Sequence, residues 1–375
     1  MEYLLEILKL VEASIRTDRR KAIAYAEQLA DKLERGGEVR SAEKIRRSIS
    51  SASAATVVPA ALSGTDLVPV DSESRLSLAD EQVIDTGDVA LFLPERAMAT
   101  VNEFVRYVAA ADRLIEDGIG ISPSLLMYGP PGCGKTELAR YISAQLHLPL
   151  LTARTDSLIS SYLGSTAKNL RLLFDHAASR PCVLFLDEFD AIAKLRDDQH
   201  ELGELKRVVV SLLQNIDAVH GNTVLLAATN HDHLLDSAVW RRFAYHLQIG
   251  HPDAISRCSL FQKYLGHDFP GKSMARFTDA SDGLTGSDIR QICEAVRREA
   301  VVTSTDIVAE PAVLRRILER IVGNDSLAVP ELIFQAKTRL PRVFTHRVLA
   351  DAFGMSPGNI TYLLKKHGGK EDSNA

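Results

Sequence analysis

Gly129-Pro130-Pro131-Gly132-Cys133-Gly134-Lys135-Thr136 decides the fold. The stretch fits G-x-x-x-x-G-K-T in full. It follows the apolar run Leu125-Leu126-Met127-Tyr128 and leads into Leu138, Ala139, Tyr141 and Ile142 at helical spacing. Strand, glycine-rich turn and helix in that order make a phosphate cradle. The glycines let backbone N–H groups point inward, and the helix N-terminus adds partial positive charge. Lys135 is expected to reach the β- and γ-phosphates of ATP, and Thr136 to ligate Mg²⁺, with Glu137 closing the nucleotide-contacting run.

Two further apolar runs, Val183-Leu184-Phe185-Leu186 and Val224-Leu225-Leu226-Ala227-Ala228, are short and bounded by polar residues, as buried parallel strands are. The first ends in Asp187-Glu188. Neighbouring strand residues point in opposite directions, so two adjacent carboxylates can hold separate jobs. Asp187 suits the Mg²⁺ shell and Glu188 suits activation of an attacking water. The second run ends in Thr229-Asn230, where Asn230 can orient that water. The expected fold class is α/β: a parallel sheet flanked by helices, as in P-loop nucleoside triphosphatases, with a helical lid following it.

These motifs, in this order over roughly residues 90–305, resemble the AAA family within the AAA+ ATPases. Asn230 matches that family's sensor-1 position. Asp236-Ser237-Ala238-Val239-Trp240-Arg241-Arg242-Phe243 is similar to the D-x-A-x-x-R-R-F element of katanin, spastin and the ESCRT-disassembling ATPases. The resemblance implies that Arg241 and Arg242 act as fingers on a neighbouring subunit's nucleotide, and that the chain forms a homo-hexamer. A guanidinium is suited to that task, since it neutralises charge spread over a transferring phosphoryl group. Gly283-Leu284-Thr285-Gly286-Ser287-Asp288-Ile289 resembles the element that opens a lid helix near the adenine, which gives Gly286 and Ser287 a place in the nucleotide site. No arginine stands two or three residues before Asp288, so no sensor-2 arginine is expected there. Asp88 to Pro94 stands where many relatives carry an Asp-Ile-Gly-Gly-type segment, and its backbone is expected to meet the adenine.

In AAA remodellers the place of Ser161-Tyr162-Leu163-Gly164 holds a central pore loop. Tyr162 would grip an extended protein substrate with Leu163 beside it, because an aromatic ring offers apolar area at little entropic cost. A second pore-facing loop is expected near Asp197–Glu201, and Arg207 matches a position that meets the neighbouring subunit. The layout also resembles bacterial single-ring AAA ATPases paired with a subtilisin-like serine protease in anti-phage modules, which implies a protease partner and a role in defence.

The rest of the chain is divided by pattern. Residues 1–50 show helical periodicity and form an N-terminal helical domain. Residues 51–88 hold no aromatic residue and read as a flexible linker. Residues 89–252 are the large α/β domain, 253–308 the helical lid, and 309–375 a C-terminal helical extension. Within that extension, residues 345–367 fit helix-turn-helix spacing: Ala350 is the small residue at a helix crossing, Gly354 the turn, and Ile360 and Leu363 pack back. Such a unit can place a helix in a DNA groove. The competing function is therefore a DNA-associated ATPase, a loader or regulator.

Over 375 residues the charge is -5, so any nucleic-acid site has to be a local patch. With no long apolar run, membrane insertion is not expected. Four cysteines without metal-binding spacing read as reduced thiols of a cytoplasmic protein. Cys133, inside the phosphate loop, is expected to favour the thiolate and to be open to maleimide unless ATP protects it.

Overall fold

The computed structural model describes residue 33 and residues 68–71, 76–158, 163–193, 202–219, 223–266, 269–303, 308–323 and 328–371. The side chains of 163, 164, 202–207 and 367–371 stand outside that description. Six strands form one sheet: β1 (Ala79–Gln82), β2 (Ser124–Tyr128), β3 (Leu150–Ala153), β4 (Cys182–Leu186), β5 (Thr223–Thr229) and β6 (Tyr245–Gln248). Their order across the sheet is β1-β3-β4-β5-β2-β6. Every pair is parallel except β1 with β3.

Alternation along the strands builds two cores. Leu126, Leu184, Leu186, Leu225 and Ala227 face one side, under α3 (Leu163–Ala178) and α4 (Leu202–Asp217). Leu125, Met127, Val183, Phe185, Val224, Leu226 and Ala228 face the other, under α1 (Glu95–Ala109) and α2 (Lys135–Leu146). The three central strands are thus apolar on both faces, as a parallel sheet covered on both sides requires.

β1 lies inside the stretch read from sequence as a linker, and that reading does not hold for residues 79–82. Two small or apolar side chains suffice to seat it: Leu78 and Ala79 are buried, while Asp80, Glu81 and Gln82 are exposed. Charged, solvent-facing residues are what an edge strand carries to resist further pairing. β3 and β6 also escaped the sequence reading, being only four residues each and broken by polar positions.

Seven helices follow the sheet: α5 (Ala254–Leu265), α6 (Gly271–Ala280), α7 (Gly286–Val302), α8 (Glu310–Val322), α9 (Val329–Arg339), α10 (His346–Phe353) and α11 (Pro357–Glu371). The division placed at 308/309 does not coincide with a break in packing. Phe261, Phe277, Ile289 and Val296 share one buried cluster with Ile317, Ile333, Phe344, Leu349 and Ile360. No helix among the described residues is long and apolar enough to cross a membrane. The N-terminal helical domain, save Leu33, and most of residues 51–75 lie outside the described residues, as do Tyr162 and the second pore loop at 197–201.

Candidate functional site

The strand order brings the motifs to one edge. β5 lies between β2 and β4, with Tyr128 opposite Thr229 and Leu186 opposite Ala227. The phosphate loop, Asn230 and the Asp187-Glu188 pair therefore leave the sheet side by side. Gly129 starts the loop at φ 142°, and a Cβ there would lie 2.0 Å from the Ile249 carbonyl oxygen. Only glycine lets the loop leave β2 against the end of β6.

Lys135 is buried at the start of α2, and its Nζ donates to the carbonyls of Gly129 (2.7 Å) and Pro130 (2.8 Å). Burial holds its pKa below the ordinary lysine range. The arched loop is thus preformed around an ammonium whose acceptors phosphate oxygens can replace. Thr136 Oγ1 donates to Asp187 Oδ2 at 2.9 Å, so the two groups expected at Mg²⁺ already converge. A hydroxyl and one carboxylate fit Mg²⁺, which takes few protein ligands and completes its shell with phosphates and water.

Glu188 is exposed and holds φ 49°, a left-handed conformation uncommon outside glycine. Its N–H donates to Asp187 Oδ1 at 2.9 Å, and the next N–H, of Phe189, donates to the Ala228 carbonyl at 2.8 Å. These bonds turn the chain sharply at the strand tip and set the two carboxylates apart. Asn230 stands beside them with a buried Oδ1 that has no hydrogen-bond partner among the described residues. A buried acceptor left unpaired costs about 1–3 kcal/mol, which a bound water or ligand relieves. Thr229 anchors that corner, its hydroxyl donating to Asp190 (2.7 Å) and accepting from the His231 N–H (2.9 Å).

These groups line a cavity of about 410 Å³, enough for a nucleotide. Its far wall is Ala90 to Pro94 together with Leu260, Tyr264, Gly286, Ser287 and Arg290. The 90–94 strap lines the cavity. Lys263 of α5 donates to the Ala90 carbonyl at 3.4 Å and lies 5.9 Å from the Phe92 ring centroid, tying the strap to the lid. The lid element touches the loop directly: Ser287 N–H donates to the Gly132 carbonyl at 3.0 Å. A Cβ on Gly132 would lie 2.9 Å from Thr285 Oγ1. Leu260, Tyr264 and Arg290 were not singled out from sequence, because nothing in their spacing separates a cavity wall from a helix surface. Arg290 falls two residues after Asp288, on the opposite side of it from the position expected of a sensor-2 arginine.

Arg241 and Arg242 leave a fixed corner. Asp236 caps the short helical turn Ser237–Trp240, accepting from the Ala238 N–H at 2.8 Å. The Trp240 ring stands edge-on to Tyr128, centroids 5.1 Å apart. The two arginines then differ. Arg242 is half-buried with Nε 2.7 Å from Asp217 Oδ1, whereas Arg241 is exposed and has no ion pair among the described residues. Neither lines the cavity formed by its own chain.

Cys133 corrects an expectation. It is buried in the cluster of Met127, Leu138 and Ala139, and burial pushes its thiol up, outweighing the lowering by Lys135, while Asp288 raises it further. The loop therefore carries a neutral thiol, not a thiolate.

Fold and site together define a phosphate-loop nucleotide-binding module. Residues 125–251 match the family described as "ATPase family associated with various cellular activities (AAA)". An AAA family ATPase of Sinorhizobium fredii is 40% identical over 217 residues, 57% of this chain and 63% of that protein. ATP-dependent zinc metalloprotease FtsH 3 of Synechocystis sp. is 32% identical over 254 residues, 63% of this chain and 40% of that one. The chain thus spans under two thirds of the length of either relative. The crystal structure of the FIGL-1 AAA domain superposes with a TM-score of 0.54 at 24% identity, covering 72% of this chain and 93% of that one, which supports the fold. Residues 125–251 thus resemble an AAA-family ATPase domain.

Proposed function

We propose that the chain is a ring-forming ATPase motor that remodels a protein substrate by drawing it through a central pore. One observation carries the ring: the cleft holds its own lysine and carboxylates, yet Arg241 is exposed, outside it, and without an ion pair among the described residues. An exposed arginine with no ion pair among the described residues suits a neighbour's nucleotide.

In this reading Lys135 and the loop N–H groups hold the phosphates, and Thr136 and Asp187 hold Mg²⁺. Held there, Mg²⁺ would supply positive charge that offsets the charge of the phosphates. Asn230 Oδ1 accepts a hydrogen bond from the attacking water, and Glu188 takes its proton. The water oxygen bonds to the γ-phosphorus as the bond to the β–γ bridging oxygen breaks, leaving ADP and phosphate. Arg241 of the adjacent subunit meets the charge that develops, and Arg242, held by Asp217, keeps the corner in place.

Protein as the substrate is supported by Tyr162 in the sequence and by similarity to a protein named as an ATP-dependent zinc metalloprotease. A homo-hexamer, a subtilisin-like protease partner and an anti-phage role follow from the sequence resemblance and belong to the same proposal. The test is ATP-driven unfolding of a fluorescent protein bearing an unstructured tail. Tyr162→Ala should keep ATP hydrolysis and lose unfolding; unfolding at the wild-type rate would remove the pore from the account.

A further inference from the structure

We propose that the two C-terminal helices form a duplex-DNA-reading unit, with α11 as the helix that enters the major groove. This goes beyond the motor reading and uses none of its residues.

The helix pair is built as a fixed unit. α10 ends at Gly354, which takes φ 61°, and the Met355 N–H returns to the Ala350 carbonyl at 2.9 Å. Ala350 is buried where the helices cross, and Leu349 and Ile360 are fully buried on either side of the turn. Ser356 caps α11, its Oγ accepting from the Asn359 N–H at 3.2 Å. With one side of α11 seated on the lid core, the opposite side is fixed in direction.

That opposite side is what a groove can receive. Gly358, Asn359, Tyr362, Lys365 and Lys366 are exposed. Asn359, Tyr362 and Lys366 stand at i, i+3 and i+7, one face of a helix. Gly358 and Asn359 give the first turn a slim profile, and an asparagine amide can pair with an adenine edge in both directions. Tyr362 is 61% exposed, with Lys366 Nζ 5.9 Å from its ring centroid.

Charge is concentrated at this end, although Lys263, Lys272, Arg297 and Arg298 elsewhere in the lid also lack an ion pair among the described residues. Arg257, Arg276, Arg290, Arg315, Arg316 and Arg320 each pair with a carboxylate of the chain. Arg342, Arg347, Lys365 and Lys366 are exposed and have no ion pair among the described residues. From Arg339 to Lys370 the sequence holds six Lys and Arg against the single acid Asp351, in a chain of net charge -5. To Ala375 the balance is six Lys and Arg against three acids, Asp351, Glu371 and Asp372, a local positive excess on an otherwise acidic chain of the kind polyanion binding draws on. The slim polar first turn, set on a rigid helix pair, favours a duplex over an acidic protein surface.

The test uses the full chain and a fluorescein-labelled mixed-sequence DNA duplex, followed by anisotropy across a salt series. With four phosphate-facing cations, log affinity should fall against log salt with a slope of about -3.6, a roughly hundred-fold loss over a fourfold rise in salt. The pair Lys365→Ala and Lys366→Ala should reduce the slope by about 1.8, and Asn359→Ala should flatten sequence preference in selection from randomised duplexes. An unchanged thermal midpoint in these exposed-site variants establishes that they fold. Absence of duplex binding at low salt overturns the proposal. So does a slope unmoved by the lysine changes, or tighter binding of an acidic polypeptide to the same lysines.

Discussion

Asp288→Ala probes how the lid reports to the phosphate loop. Asp288 Oδ2 accepts from the Thr285 N–H (2.9 Å) and hydroxyl (2.8 Å), while its own N–H donates to Thr285 Oγ1 (3.2 Å), a complete capping box for α7. Its Oδ1 accepts from Arg320 Nε at 2.7 Å. Losing the cap costs about 1 kcal/mol, and losing the charge-assisted pair with a half-exposed arginine about 1 more. The sum, about 2 kcal/mol, is a roughly thirty-fold rise in opening of the first turn of α7. Because Ser287 in that turn donates to Gly132, ATP affinity should fall as well. Asp288→Asn, which keeps a neutral acceptor for Thr285, should cost about half as much. The pH dependence has a defined sign. Burial pushes the Asp288 carboxyl up, but the Thr285 and Arg320 bonds outweigh it and hold the pKa below the usual value. Its contribution is therefore present above the unfolded carboxylate range, about 4, and is lost as pH falls through the lower folded value. Amide hydrogen exchange over residues 285–289, with and without ATP, reads both effects. Exchange within about threefold of wild type in Asp288→Ala would refute the capping argument, since it corresponds to under about 0.7 kcal/mol.

Two further outcomes follow from the site. With Cys133 neutral, and with Cys182 and Cys293 pushed up to about 12 by burial, maleimide at neutral pH should label the half-buried Cys258 first, read by peptide mass. Rapid labelling of Cys133 that ATP blocks would restore the thiolate that burial argues against. Arg290→Ala removes a cavity-wall cation remote from the reacting corner, so KM for ATP should rise about tenfold with kcat unchanged. A fall in kcat at constant KM would place Arg290 at the chemistry instead.

The central strands, the phosphate loop and its acidic partner strand were legible because each is a short apolar run ending in a residue type that only chemistry requires there. Asp187 and Glu188 needed no structure to find. β1, β3 and β6 were hidden because edge and near-edge strands of four residues carry too few apolar positions to show a period. The continuity of the lid core was hidden for another reason: Ile317 and Ile333 show which face of each helix is apolar, but not which helix it faces. Arg241 and Arg242 are adjacent and alike in sequence; only packing shows one tied to Asp217 and the other without an ion pair among the described residues. The acidity of Cys133 turned on burial, which the loop motif does not encode, and the cation strength of the site alone pointed the wrong way.

The account rests on one site shared between two subunits, and mixing two inactive variants tests it most directly. Glu188→Gln lacks the base but keeps Arg241; Arg241→Ala keeps the base but lacks the finger, and each alone should lose about a thousand-fold in ATP hydrolysis. Co-assembled in equal amounts, a site is whole when an Arg241→Ala subunit, carrying Glu188, is followed by a Glu188→Gln subunit, carrying Arg241. Random order makes that about one site in four, so the mixture should recover roughly a quarter of the wild-type rate. A co-assembled mixture no more active than the average of its two components would contradict the shared site.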